Sequence, residues 1–218
     1  MKLIALQYGK IEIYESMVFK DGSEDVRIPV ALLFFLIEHE DKKILIDTGC
    51  NNMKSFPVLE ITPAVNVLEQ YGVSREQITD VILTHTHGDH IGGVKYYENA
   101  NVYVNEYEYQ QAALKVSEHK LFSFKEELAY NADILVKHIG GHSKGSSVVI
   151  LNHSNKKYVV SGDECYTREN LLKKIPTGSS CDFEKSIYFV NEFSKPEYET
   201  IISHEDIVGK IGHKIIFE

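Results

Sequence analysis

Four side chains able to hold a metal, His85, His87, Asp89 and His90, fall within six residues of the run Thr84-His85-Thr86-His87-Gly88-Asp89-His90-Ile91-Gly92-Gly93. Imidazole and carboxylate at this density are the ligand chemistry of zinc, manganese or iron. His85 and His87 are one residue apart, so on an extended backbone they face the same side. Asp89 and His90 follow Gly88, where the chain can turn and aim them at a neighbouring point. So short a loop does not easily give all four to one ion. Two ions about 3.5–4 Å apart can divide them, as in two-metal hydrolytic centres. That division needs more than four ligands, and it predicts further His or Asp at other strand ends.

The elements that would position these residues are readable on either side. Val81-Ile82-Leu83 is apolar and β-branched, and reads as a buried strand delivering the cluster at its end. Three more candidates stand just after apolar runs: His142 after Ile134–His138 and Gly140-Gly141, Asp163 after Tyr158-Val159-Val160 and Gly162, and His204 after Ile201-Ile202. Open α/β architectures gather their site residues at such strand ends. Further strands are predicted at Val30–Ile37, Lys43–Ile46 (ending in Asp47-Thr48-Gly49), Asn101–Val104, Asp133–His138, Ser147–Leu151, Lys157–Ser161, Thr200–Ser203 and Lys214–Phe217. Leu3 to Tyr14 reads as a hairpin-like pair of strands broken at Gly9-Lys10. Pro63–Tyr71 reads as a helix stopped by Gly72, Ser74–Gln77 as a capped turn, and Ile91–Tyr97 as a short helix. Asn105 can cap a helix running to about Lys115, and Asp182 one whose apolar positions are Phe183, Ile187, Val190 and Phe193. Strands first, then strands alternating with helices, predict a layered α/β chain, with residues 1–218 as one domain.

Composition narrows the partners. The chain has 218 residues, 43% hydrophobic and 25% charged, enough for a sizeable core. A formal net charge of −9 argues against nucleic acid, whose backbone calls for a basic surface. Cys50, Cys165 and Cys181 are an odd count and form no disulfide framework, so a reduced, cytoplasmic setting is expected. Cys50 and Cys165 read as small buried residues. The apolar run at Met1–Tyr8 is too short for a signal peptide, and no run reaches the roughly 18 apolar residues of a membrane span, so no membrane partner is expected.

The ordered set His85, His87, Asp89, His90, His142, Asp163 and His204, with Asp47 in Leu45-Ile46-Asp47-Thr48-Gly49, resembles the binuclear site of the metallo-beta-lactamase superfamily from about Pro29 to His204. The resemblance implies a four-layer αβ/βα sandwich, two face-to-face β-sheets with outer helices. It implies two divalent metal ions, zinc first and manganese or iron as alternatives. One ion would take His85, His87 and His142, the other Asp89, His90 and His204, with Asp163 bridging. Asp47 would orient ligands through hydrogen bonds without binding metal. The implied activity is that of a metal-dependent hydrolase in which the dinuclear centre activates a bridging hydroxide.

Asp163-Glu164-Cys165-Tyr166-Thr167-Arg168-Glu169-Asn170 resembles the matching segment of N-acyl homoserine lactonases. By that resemblance Tyr166 faces the substrate and donates to the oxyanion, Asp89 passes a proton to the leaving alkoxide, and the partner is a small-molecule lactone. The chain departs from those lactonases in two places. Their Pro-Gly-His-x-Pro-Gly-His-like segment is here Gly140-Gly141-His142-Ser143-Lys144-Gly145-Ser146, and the stretch from Gly49 to His85 is short. Lys144 stands near enough in sequence to meet a substrate carboxylate, though a solvated lysine is the plainer expectation. A thioester hydrolase of the glyoxalase II type, a phosphodiesterase and a non-catalytic metal-binding scaffold are the competing readings. His39, His119, His138, His153 and His213 match no ligand position and read as surface or packing residues.

Overall fold

The structure is a computed structural model that describes residues 1–117 and 120–218; the reading of His119 lies outside the described residues. Among the described residues the first sheet holds β1 (Lys2–Tyr14), β2 (Arg27–His39), β3 (Lys42–Ile46), β4 (Val58–Ile61), β5 (Asp80–Ile82), β6 (Asn101–Asn105) and β7 (Leu121–Phe124). The second holds β8 (Glu127–Ala129), β9 (Ile134–His138), β10 (Ser147–His153), β11 (Lys156–Val160) and β12 (Tyr198–Ile201), and β13 (Gly212–Phe217) returns to the first. The first sheet runs β13-β1-β2-β3-β5-β6-β7, with β4 on β1, and the second runs β12-β11-β10-β9-β8.

Strand periodicity explains the layers. Along β1 and β2, Leu3, Ala5, Ala31, Leu33, Phe35 and Ile37 point inward, onto Val136, Val149, Leu151 and Val160 of the second sheet. The alternate residues Ile4, Leu6, Leu32, Phe34 and Leu36 point outward, into a core closed by Ala64, Val67 and Leu68 of α2 (Ala64–Tyr71). The outer face of the second sheet, Val148, Ile150 and Val159, packs on Leu171 of α5 (Arg168–Lys173) and on Phe189, Val190 and Phe193 of and beside α6 (Phe183–Glu192). A strand buried on both faces reads as a continuous apolar run, which is what Val30–Ile37 is. The result is the expected sandwich of two facing sheets with helices outside.

Some local expectations are corrected. Leu3–Tyr14 is one strand with a bulge between Gln7 and Gly9, not a hairpin. A Cβ on Gly9 would stand 2.7 Å from the Glu60 carbonyl, so the glycine is there for close approach of β4 and not for a turn. The helix expected over Ile91–Tyr97 starts earlier: α3 is Gly88–Ile91, and only a 3-10 turn follows at Val94–Tyr96. In α6, Phe183 and Ile187 are 38% and 42% exposed, because the face turned inward is Ser186, Phe189, Val190 and Phe193. The short elements β4, β7, β8 and α5 were not foreseen. Between β6 and β7 the Asn105 side chain accepts from the Tyr107 N–H as expected, and α4 spans Tyr109–Ala113.

Candidate metal centre

The candidate ligands, and Asp47 behind them, all follow strand ends of the two sheets. Asp47 follows β3, the His cluster follows β5, His142 follows β9, Asp163 follows β11 and His204 follows β12. Asp47 has φ +61, in the left-handed region that aspartate tolerates better than most residues. From there its carboxylate accepts from the Thr84 N–H and the Thr84 hydroxyl, each at 2.8 Å, and lies 2.8 Å from His90 Nδ1.

These contacts fix ring tautomers. The Thr84 hydroxyl gives its proton to Asp47, so at 3.1 Å it accepts from His85 Nδ1. Carbonyl oxygens of Ser179 and Ala31 hold Nδ1 of His142 and His204 at 2.6 and 2.7 Å. Four imidazoles thus carry a proton on Nδ1 and turn Nε2 to the centre, the arrangement that orients metal-ligating histidines.

The atoms facing the centre fall into two groups that share Asp163. His85 Nε2 and His142 Nε2 lie 3.0 and 2.9 Å from His87 Nδ1, and 3.7 and 3.5 Å from Asp163 Oδ2. His90 Nε2 and His204 Nε2 lie 3.0 and 3.1 Å from Asp163 Oδ1, and 3.4 and 3.7 Å from Asp89 Oδ2. The edge of a tetrahedron with bonds of 2.0–2.1 Å is about 3.3 Å, so these spacings suit a small divalent cation in each group. His90 Nε2 is buried without an aligned hydrogen-bond partner, as a nitrogen reserved for a cation would be. The donor set therefore fits two such ions. His85, His90, His142, Asp163 and His204 are buried, whereas His87 is exposed and Asp89 partly so, which leaves the open side at those two.

The electrostatics agree. Burial alone would raise the Asp163 carboxyl, but His90, His204, His85 and His142 hold it well below the usual range. Burial disfavours charge on His90, yet Asp163, Asp89 and Asp47 outweigh it and raise the ring well above an ordinary histidine; His204 is raised in the same way by Asp163 and Asp89. His85 goes the other way, pushed well down by burial and by the His90 ring beside it. Three carboxylates thus favour positive charge at one point, which those rings supply as protons or yield to a cation.

Beyond the ligands lies a cavity of about 580 Å³. His87, Asp89, His142, Asp163, Tyr166 and His204 form its polar end. Ile11, Ile13, Val30, Met53, Phe56 and Met17, the last in α1 (Glu15–Val18), form an apolar wall. Tyr166 is 5% exposed, stacks on His204 and donates its hydroxyl to Asp163 Oδ2 at 3.0 Å. Burial and the Asp163 charge raise its phenol well above the usual value, so it keeps its proton.

Lys144 lines a different cavity, with His138, whose Nε2 is 2.9 Å from the Lys144 carbonyl. His39 sits 3.5 Å from Asp133, His153 stacks on Phe217 and His213 meets Tyr71, all away from the centre. Cys50 and Cys165 are buried. Residues not foreseen include Thr84, which relays Asp47 to His85, and Tyr8, whose hydroxyl donates to the Asp89 carbonyl at 3.0 Å. Thr84 abuts the cluster and was findable. The Ser179 and Ala31 carbonyls have no sequence signal, since every residue carries one.

The chain belongs to the metallo-beta-lactamase superfamily, whose family model matches residues 29–204. It is 27% identical to an N-acyl homoserine lactonase of a Bacillus species, over 100% of this chain and 98% of that protein. It is 29% identical to a probable metallo-hydrolase of Methanocaldococcus jannaschii, over 77% of this chain and 73% of that protein. Among solved structures, an N-acyl homoserine lactone hydrolase with N-hexanoyl-L-homoserine bound at its catalytic metal centre superposes with a TM-score of 0.80 at 22% identity, covering 94% of this chain and 93% of that one. A dizinc quorum-quenching lactonase superposes with a TM-score of 0.78 at 19% identity, covering 99% and 94%. These structures share its fold.

Proposed function

We propose that this superfamily member is a metal-dependent hydrolase that holds two divalent cations, zinc by preference, and opens a lactone bearing an apolar acyl substituent. The observation that carries this reading is the cavity itself, with a dense His and Asp cluster at one end and an apolar wall at the other. No Lys or Arg stands among the described residues lining it. A glutathione thioester or a phosphodiester brings negative charge that such a wall does not answer, whereas an acyl chain buries apolar surface at about 25 cal/mol per Å². The curated lactonase relative, aligned over the whole chain, supports the same substrate class.

In this reading His85, His87, His142 and Asp163 hold one cation, and Asp89, His90, His204 and Asp163 the other. Bound there, the cations would lower the pKa of water toward about 7 and polarise a carbonyl. The rest falls to the chain. The Tyr166 hydroxyl, already a donor at the centre, turns to the carbonyl oxygen as it gains charge. The Asp89 carboxylate, exposed to the cavity, takes the proton given up by the attacking water and returns it to the ring oxygen as the acyl C–O bond breaks, so the alcohol leaves neutral. The apolar wall seats the acyl chain and keeps bulk water from it. The chain would act on a small molecule in a reducing, cytoplasmic setting; no described helix is long and apolar enough to cross a membrane.

The test is a hydrolysis panel on metal-replete protein: homoserine lactones of several acyl lengths, simple γ-lactones, S-lactoylglutathione, a β-lactam and bis(p-nitrophenyl) phosphate, with His87→Ala as control. Lactone turnover that rises with acyl length and vanishes in the variant is expected. Turnover confined to the thioester or the phosphodiester would overturn the substrate class, and none at all with two metals bound would favour a scaffold.

A further inference from the structure

His142 rides on a loop that ought to be loose. Gly140-Gly141-His142-Ser143-Lys144-Gly145-Ser146 contains three glycines and no proline, and glycine gives the backbone its widest freedom. Yet the ring must hold Nε2 in register with His87, which belongs to another sheet. Two buried glutamates outside the ligand set meet this loop at different points. Glu108, at the end of a 3-10 turn after β6, accepts from the Ser143 hydroxyl at 2.7 Å and the Gly145 N–H at 3.2 Å on Oε1. Its Oε2 accepts from the hydroxyl of Thr86, the residue between His85 and His87. Glu164, next to Asp163 and fully buried, accepts on Oε1 from the N–H groups of Gly141 and His142 at 3.1 and 3.3 Å, and the Ser146 hydroxyl also reaches it.

The glycines fit these carboxylates. A Cβ on Gly141 would stand 2.4 Å from Glu164 Oε2, and one on Gly145 2.6 Å from Glu108 Cγ. Neither glutamate touches the cavity, so neither is spent on substrate. We propose that Glu108 and Glu164 are positioning residues that pin the His142 loop at separate points, and that together they preform the His85/His87/His142 site, Glu108 by tying that loop to Thr86 and Glu164 by tying it to the strand end that carries Asp163. Hydrogen bonds to carboxylate here do what prolines do in a stiffer loop. The proposal rests on reading His142 as a metal ligand.

The experiment measures zinc uptake by the intact protein against a chromophoric chelator, with cobalt substitution to tell the two sites apart by their absorption spectra. The parent takes up two ions. Glu108→Ala and Glu164→Ala each keep one ion at the parent affinity and bind the other about 10–100-fold more weakly, the usual consequence of losing an outer hydrogen-bond partner. Glu164→Gln restores binding, because Oε1 makes all the observed contacts and Oε2 has no partner. An alanine variant that fails to fold is replaced by Ser143→Ala or Ser146→Ala, which remove one donor from the loop side. Parent affinity for both ions in the alanine variants, or a loss shared equally by both sites, overturns the clamp and leaves the metal reading standing. A parent that takes up no zinc overturns both.

Discussion

Asp47 illustrates how much a residue outside both candidate groups can decide. Its carboxylate meets His90 Nδ1 directly and His85 Nδ1 through Thr84, so it sets the tautomer of one ring in each group. Asp47→Ala should therefore weaken both cations, by about 10–100-fold, in a chelator competition; an unchanged affinity would remove it from the site's support. Tyr166→Phe should separate binding from chemistry. Both cations should stay bound while kcat on a lactone falls by about 10²-fold, the usual cost of losing one oxyanion donor, and a parent-like kcat would end its assigned role. The candidate ligands could be picked out because side-chain identity is what a sequence states, and all seven metal-binding types followed apolar runs. Their support was only half legible. Asp47 was assigned its orienting task, but the Ser179 and Ala31 carbonyls that hold His142 and His204 depend on which backbone folds beside them.

At the scale of elements, the strands of the sheet interiors, even three-residue β5, were readable, and several short edge strands were not. Val30–Ile37 must be a strand buried on both faces, and Pro63–Tyr71 with Gly72 must be a capped helix. By contrast β4, β7 and β8 have three or four residues and exist because a neighbour pairs with them. Pairing also places Asp80, at the start of β5, opposite Asn101 of β6 and beside Lys42 of β3. Burial would raise its carboxyl, but hydrogen bonds from Thr79, Lys42, Tyr130 and Asn101 outweigh that and lower it from 3.8. A lowered folded pKa stabilises the fold above the unfolded value, and that stability is lost as pH falls through the folded one. Asp80→Asn should thus cost about 1–3 kcal/mol in urea unfolding at pH 7. Its deficit should shrink as pH drops below 3.8; a deficit independent of pH would mean that the charge is not what matters.

At the scale of the molecule, the centre is a seam. His85, His87, Asp89 and His90 come from the end of the first sheet, and His142, Asp163 and His204 from the ends of the second. Each proposed group draws from both sheets: His142 and Asp163 complete the first, His204 and Asp163 the second. A cation seated there joins the two halves at a rim where their apolar cores have ended and only buried polar groups remain. Binding that favours the folded chain adds to its stability by mass action, about 2.7 kcal/mol for one site at a hundred times Kd. For a chain of this size a kcal/mol moves the melting temperature by about 2–4 °C, so stripping one ion should lower it by about 5–10 °C. Thermal melts of metal-loaded and chelator-treated protein, each assayed for metal content, make the measurement. Adding zinc back should restore the transition in the parent and leave Asp163→Asn, which weakens both groups at once, largely unmoved. Equal melting temperatures for loaded and stripped parent would mean that the two halves are already held without the ions, and that the centre contributes chemistry but no cohesion.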